Sequence, residues 1–259
     1  MQQIIFFLLL SLMFQFGADA QNKPIATNRS SKFTGGSTAM VRTKTKPKDK
    51  KMGLGSPVRP ENIENEEVGE AFNTLEQGNW DEAIDQLDDY SENDPDAAFG
   101  LGFAYYLDGQ TDKAIEAFEQ MAELDPENPE ALYFLGLLYA EQGNYEQAED
   151  KFLSLLMMDP SDDGAWYELG FLYLDTEYYS DAADCFNNVL LISPEDPDAP
   201  YELARIYAIS GKIRDALTAL ELAFSNGFSD ADFVREDPDL EEVRSTERFD
   251  ELMEIYFPD

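Results

Sequence analysis

The stretch "LGLLYAEQGNYEQAEDKFLSLLMMDP" occupies residues 135–160 and reads as two amphipathic helices broken at Gly143-Asn144. Leu132, Leu135, Gly136 and Tyr139 fall at i, i+3, i+4 and i+7, one stripe of a helix. Ala148, Phe152 and Leu155 form a matching stripe on the second helix. In this reading Gly136 faces Ala148, and two small residues let the helices approach closely. The same sentence stands at 101–126 as "LGFAYYLDGQTDKAIEAFEQMAELDP" and at 169–194 as "LGFLYLDTEYYSDAADCFNNVLLISP".

Working outward, Gly102, Gly136, Gly170 and Ala204 are spaced by 34, as are Tyr105, Tyr139, Tyr173 and Tyr207. Ala114, Ala148, Ala182 and Ala216 follow the same period, and so do Phe118, Phe152, Phe186 and Leu220. An earlier copy, with Ala71, Gly78, Trp80, Ala83 and Leu87, lies at a spacing of 31 because its connection is shorter. Asn128-Pro129 and Asp196-Pro197 are helix starts, a capping side chain followed by proline at the first helical position. Pro126, Pro160 and Pro194 close the preceding helices. A single helix pair cannot bury its apolar stripes, whereas stacked copies bury each other's.

These residues resemble the tetratricopeptide repeat family. The words "LG..Y", "G.Y..A...F" and "DP" stand at 135–160 and recur in the neighbouring copies. The resemblance implies an all-α fold, a right-handed superhelix of about five helix-turn-helix units at roughly 64–94, 95–128, 129–162, 163–196 and 197–230. Three departures mark the later units. Glu177 replaces the glycine between helices, Pro200 stands where a large apolar residue is usual, and Phe228 replaces the closing proline. Residues 231–259 leave the period. Phe249, Leu252, Met253 and Tyr256 form one apolar stripe, with Glu247, Arg248, Asp250, Glu251 and Glu254 opposite, as a capping helix requires. The run "DPDL..VR...RF..L" resembles a segment that often ends bacterial arrays of this family.

Charge divides the chain. Residues 21–60 hold ten Lys and Arg against Asp49, about +9, while residues 61–259 hold eight basic and 52 acidic residues, about −44. An acidic body of this size repels nucleic acid and anionic lipid and attracts basic partners; solubility in salt is the other reading of the same acidity. Residues 21–63 read as a disordered basic linker, too polar to bury a core. That arm has three readings: a plain linker, a contact for anionic surface lipid, or a latch from residues 23–59 into the acidic groove of the same molecule or a neighbour. Residues 1–20 read as a signal peptide, with an uncleaved anchor as the other reading. An apolar run of thirteen, Ile4 to Phe16, precedes Ala18-Asp19-Ala20, which places the cut before Gln21 and the mature chain in the periplasm or outside the cell. No stretch is apolar over the length of a membrane span.

The chain has no histidine and one cysteine, Cys185, so His-dependent triads and His metal sites are absent and no internal disulfide can form in a monomer. No glycine-rich phosphate loop opens a helix, and the acids of "DPSDDG" at 159–164 lack the spacing of a calcium loop. The expectation is a non-enzymatic protein with neither cofactor nor metal. In the family the first helices of successive units line a concave groove, which here implicates Phe99, Phe103, Tyr106, Tyr133, Leu137, Tyr167, Phe171, Tyr201 and Arg205. Phe99, Tyr133, Tyr167 and Tyr201 keep the repeat spacing as an aromatic row, rimmed by Asp96, Glu130, Glu141, Glu168, Asp175, Asp198 and Glu202. Members that grip the acidic tails of heat-shock chaperones carry Lys, Arg and Asn there, whereas Arg205 is the only cation in this set. The expected function is a scaffold that holds a basic and apolar protein segment; the alternative is an assembly subunit of an envelope or surface complex.

Overall fold

The computed structural model describes residues 60, 63–126 and 128–258. The expected signal peptide, its expected cut before Gln21 and the basic arm of residues 23–59 lie outside the described residues. Ten helices form five successive pairs. These are α1 (Glu66–Glu76) with α2 (Trp80–Ser91), α3 (Pro95–Leu107) with α4 (Thr111–Leu124), α5 (Pro129–Glu141) with α6 (Tyr145–Met158), α7 (Asp163–Asp175) with α8 (Tyr179–Ile192), and α9 (Asp198–Ile209) with α10 (Ile213–Ser225). Three further helices, α11 (Ala231–Glu236), α12 (Glu241–Arg244) and α13 (Glu247–Tyr256), follow with a 3₁₀ turn at Pro238–Leu240 between the first two. Each pair packs within itself and on the next, an all-α solenoid with no strand among the described residues. Among those residues, no helix is long and apolar enough to cross a membrane.

The helix ends follow from single residues. Asn128 accepts from the amides of Glu130 and Ala131 at 3.0 and 3.3 Å, and Pro129 opens α5. Asp94 caps α3 in the same way, and Asp162 caps α7 through Ala165 at 2.8 Å. The fifth unit starts one residue later than expected. Pro197 is the flanking residue of α9, yet Asp196 still holds the amides of Asp198 and Ala199 at 2.9 and 2.7 Å. Between helices, Gly109, Gly143 and Gly211 have φ of 78°, 78° and 71°, and Glu177 is forced to 63° in the fourth unit. A Cβ in that left-handed region costs about 1–2 kcal/mol, tolerated because the flanking helices dictate the turn.

Within a unit the close approach differs from the expected Gly136–Ala148 pairing. A Cβ on Gly136 would lie 2.6 Å from a ring carbon of Phe152, one turn beyond Ala148. Gly102 and Gly170 stand in the same relation to Phe118 and Phe186, at 3.0 and 2.9 Å. Each glycine therefore makes the seat for a phenylalanine of the second helix. Leu132 is only half-buried, while Phe134 and Leu138 join Leu135 in the core. Residues 97–104 of α3 are buried on every side, as expected for a helix apolar all round.

The chain end closes the stack. Phe249, Leu252 and Met253 are buried, and Tyr256 packs on Phe224 with ring centroids 5.6 Å apart. Glu247, Arg248, Asp250, Glu251 and Glu254 face water. The "DPDL..VR" signature has a local reason. Asp237 caps the 3₁₀ turn through the Asp239 amide, Leu240 and Val243 are fully buried, and the Arg244 guanidinium donates to the Asp237 carbonyl. Phe228, standing in place of proline, stacks on Tyr201 with centroids 4.4 Å apart.

Candidate functional site

The first helices α3, α5, α7 and α9 carry the expected groove side chains, but the aromatic row is not an open surface. Phe99 and Phe103 are 2% and 0% exposed. They belong to a phenylalanine cluster in which Phe134 of the next unit lies 5.7 and 5.8 Å from their centroids and stacks on Phe118 at 5.0 Å. Tyr167 and Tyr201 are buried at 6% and 0%. The Tyr167 hydroxyl donates to Asp196, which caps the next first helix, and the Tyr201 hydroxyl donates to Asp237 at 2.6 Å, which caps the next turn. At these two positions the row fastens one unit to the cap of its successor. Phe99 has no hydroxyl, and the cap facing the next unit there is Asn128 rather than aspartate. A signal for this fastening was present in the sequence, since Asp196-Pro197 and Asp237-Pro238 repeat the same helix-start pair one unit beyond each tyrosine.

Of the expected aromatic and aliphatic groove positions, those left partly open lie in units two to four. Tyr106, Tyr133, Leu137 and Phe171 are half-buried, Glu130, Glu141 and Asp175 are exposed, and Asp96, Glu168 and Asp198 are intermediate. Burial and then Glu141 push the Tyr106 phenol up, and burial followed by Glu168 and Asp162 does the same at Tyr133. Glu141 thus adds to the negative field at Tyr106, and Glu168 and Asp162 to that at Tyr133. The arrangement offers apolar contact area inside a field that favours cations. Leu174 was missed by reading the repeats in isolation; it is half-buried and occupies in unit four the position of Tyr106 in unit two. Among the described residues, no three His, Cys, Asp or Glu side chains converge as a metal site. Cys185 is 3% exposed, and burial, then Asp184, Asp181 and Glu149, push its thiol up, as for a thiol packed in a core.

Tetratricopeptide repeat models match residues 74–129, 105–169 and 163–196. This is a tetratricopeptide repeat protein. Solved structures of similar fold include MamA (21% identity over 62% of this chain and 96% of that one, TM-score 0.59). A MamA fragment from Desulfovibrio magneticus RS-1 matches at 19% identity over 65% of this chain and 99% of that one, with TM-score 0.58. YrrB, described as a tetratricopeptide repeat protein with an unusual peptide-binding site, matches at 20% identity over 63% and 86%, with TM-score 0.55. Among curated proteins the chain has no significant match.

Arg205 is not the free groove cation that the repeat positions suggested. Its guanidinium lies 2.6 Å from Glu202, 3.2 Å from Asp237 and 2.8 Å from Asp239. Asp239 stands one full period after Arg205, where a sixth repeat would place its own first helix. The last repeat thus uses its groove residue to hold the cap. Glu202, expected on the rim, is fully buried, and its Oε1 has no hydrogen-bond partner. Burial favours neutral Arg205, but the three carboxylates hold it charged above its ordinary value. Burial, aided by Asp237 and Asp198, pushes the Glu202 carboxyl up to about 7 against the pull of Arg205.

This shift sets a pH dependence. Native Glu202 binds its proton more tightly than the ordinary value of 4.5, so its contribution to stability is fully present below 4.5 and is lost as pH rises to about 7. Urea unfolding between pH 4.5 and 7.5 should therefore give a falling stability, and Glu202→Gln should flatten it by about 3 kcal/mol across the window. Equal slopes in the two proteins would mean that another group titrates.

Tyrosines at one repeat position meet different partners along the stack. Tyr139 donates to Glu119 at 2.5 Å and Tyr173 to Glu149 at 2.6 Å. At the same repeat position, Lys113 lies 4.9 Å over Tyr105 and Lys212 5.7 Å over Tyr207, beside cavities of about 400 and 290 Å³.

Proposed function

We propose that the protein is an exported, non-enzymatic scaffold that holds a segment of another protein, rich in basic and apolar side chains, on the concave face of units two to four. The supporting observation is the set Tyr106, Tyr133, Leu137 and Phe171, partly open at the centre of the groove and bordered by Glu130, Glu141, Glu168 and Asp175. Partly open aromatic side chains supply contact area at little entropic cost, and the acidic border sets the sign of the partner and speeds encounter. The fold is that of interaction modules, and the peptide-binding site named for YrrB supports a polypeptide ligand here.

Selecting from a displayed peptide library on this protein should enrich sequences combining Lys or Arg with large apolar residues. Their affinity should fall with added salt. Leu137→Ala and Phe171→Ala should each weaken binding by about 1–2 kcal/mol, because truncating a central contact loses both area and water exclusion. Enrichment of acidic peptides, or binding untouched by both substitutions, would contradict the groove.

A further inference from the structure

Four large apolar side chains at the ends of second helices are left exposed to water. Leu124 is the last residue of α4, Met157 and Met158 are the last two of α6, and Leu191 is next to last in α8. Their exposures are 38%, 75%, 45% and 79%. Single exposed apolar residues are ordinary on any protein. These recur at equivalent positions. Leu124 and Met158 share one repeat position and Met157 and Leu191 share another, so three successive units present the same edge. The core needs none of them, since α6 packs through Ala148, Phe152, Leu155 and Leu156.

The electrostatics of this edge are equally consistent. It is built from the C-terminal ends of three helices, each carrying roughly half a negative charge. None of the three has a basic residue in its last turn. Exposed Glu123, Asp159 and Glu195 stand beside the apolar side chains, and the two hydrogen bonds from Ser161 hold the Asp159 carboxyl below its ordinary value. An apolar surface on the negative ends of aligned helices is complementary to a segment with apolar side chains and flanking lysines or arginines. A second copy docking by the same edge would bring like ends together, and an anionic membrane would be repelled.

We propose that the ends of α4, α6 and α8 form a second docking surface, on the edge of the stack and separate from the groove, for a basic amphipathic segment of another polypeptide. Two partners, or two parts of one partner, are then held at once. Met157 and Met158 make the surface flexible and adaptable, a use to which exposed methionine is suited.

The methionine methyls are also reporters. The full chain, labelled with carbon-13 at the methionine methyls, is titrated with a synthetic helical peptide of leucine and lysine, with assignments from Met157→Leu and Met158→Leu. The expected result is saturable movement of both methyl signals, weakened by salt. Binding at this edge should be weakened at least tenfold by Leu191→Asp and left unchanged by Leu137→Ala with Phe171→Ala. A polylysine peptide of equal charge should move the two signals far less. The proposal is overturned if the peptide binds without moving either methyl or if Leu191→Asp has no effect. It is also overturned if both signals move on raising the protein concentration alone, which is self-association, or with phosphatidylcholine vesicles and not with peptide. Leu191 is almost wholly exposed, so its substitution leaves the fold intact, and circular dichroism verifies this.

Discussion

Arg205→Ala should destabilise the C-terminal end of the stack by about 3–5 kcal/mol, the usual cost of removing one partner from a buried ionic cluster. The side chain is 20% exposed, and its three carboxylate partners, Glu202, Asp237 and Asp239, are 0%, 5% and 12% exposed. Without the guanidinium, three carboxylates remain near one another in a site that excludes water. The Asp237 carboxylate also accepts from Tyr201 and caps the 3₁₀ turn, so its displacement would loosen two elements together. In a repeat stack, units couple to their neighbours only, and the loss should be local. Amide hydrogen exchange should quicken through α9 and residues 231–256 while α3 to α6 keep their protection. Arg205→Lys should restore only part, because an ammonium cannot serve three acceptors with the geometry of a fork. A loss below about 1 kcal/mol would show that the cluster gains as little as a surface ion pair.

The second large effect has an unexpected sign. Gly to Ala inside a helix ordinarily stabilises by about 1 kcal/mol. Gly136→Ala should instead destabilise by about 1–3 kcal/mol, the range for overpacking a core. The new Cβ would lie 2.6, 2.8 and 2.9 Å from three ring atoms of Phe152, which is fully buried between helices. Gly170 and Gly102, whose nearest ring atoms are 2.9 and 3.0 Å away, should follow in that order with smaller losses. Urea midpoints of the three single variants test the ranking. A stabilised Gly136→Ala would mean that α5 and α6 separate without cost.

The helix pairs, their caps and the closing helix were legible because each rests on local chemistry or a fixed period. Asn128-Pro129 starts a helix in any context that leaves it room, and a regular recurrence of paired apolar stripes has no other stable packing. Glu177 shows the strength of that control, since the turn imposes φ of 63° on a residue that resists it.

Exposure at the groove positions was not legible, because it depends on what the neighbouring unit contributes. Phe99 and Phe103 share their repeat positions with Tyr133 and Leu137, yet the first pair is sealed by Phe134 and the second stays partly open. The sequence also placed Arg205 in the groove and Glu202 on its rim. Only the tertiary structure brings Asp237 and Asp239 to them across the end of the stack, turning a binding position into a fastening. Periodicity determines which way a side chain points, and the neighbouring unit decides whether water still reaches it.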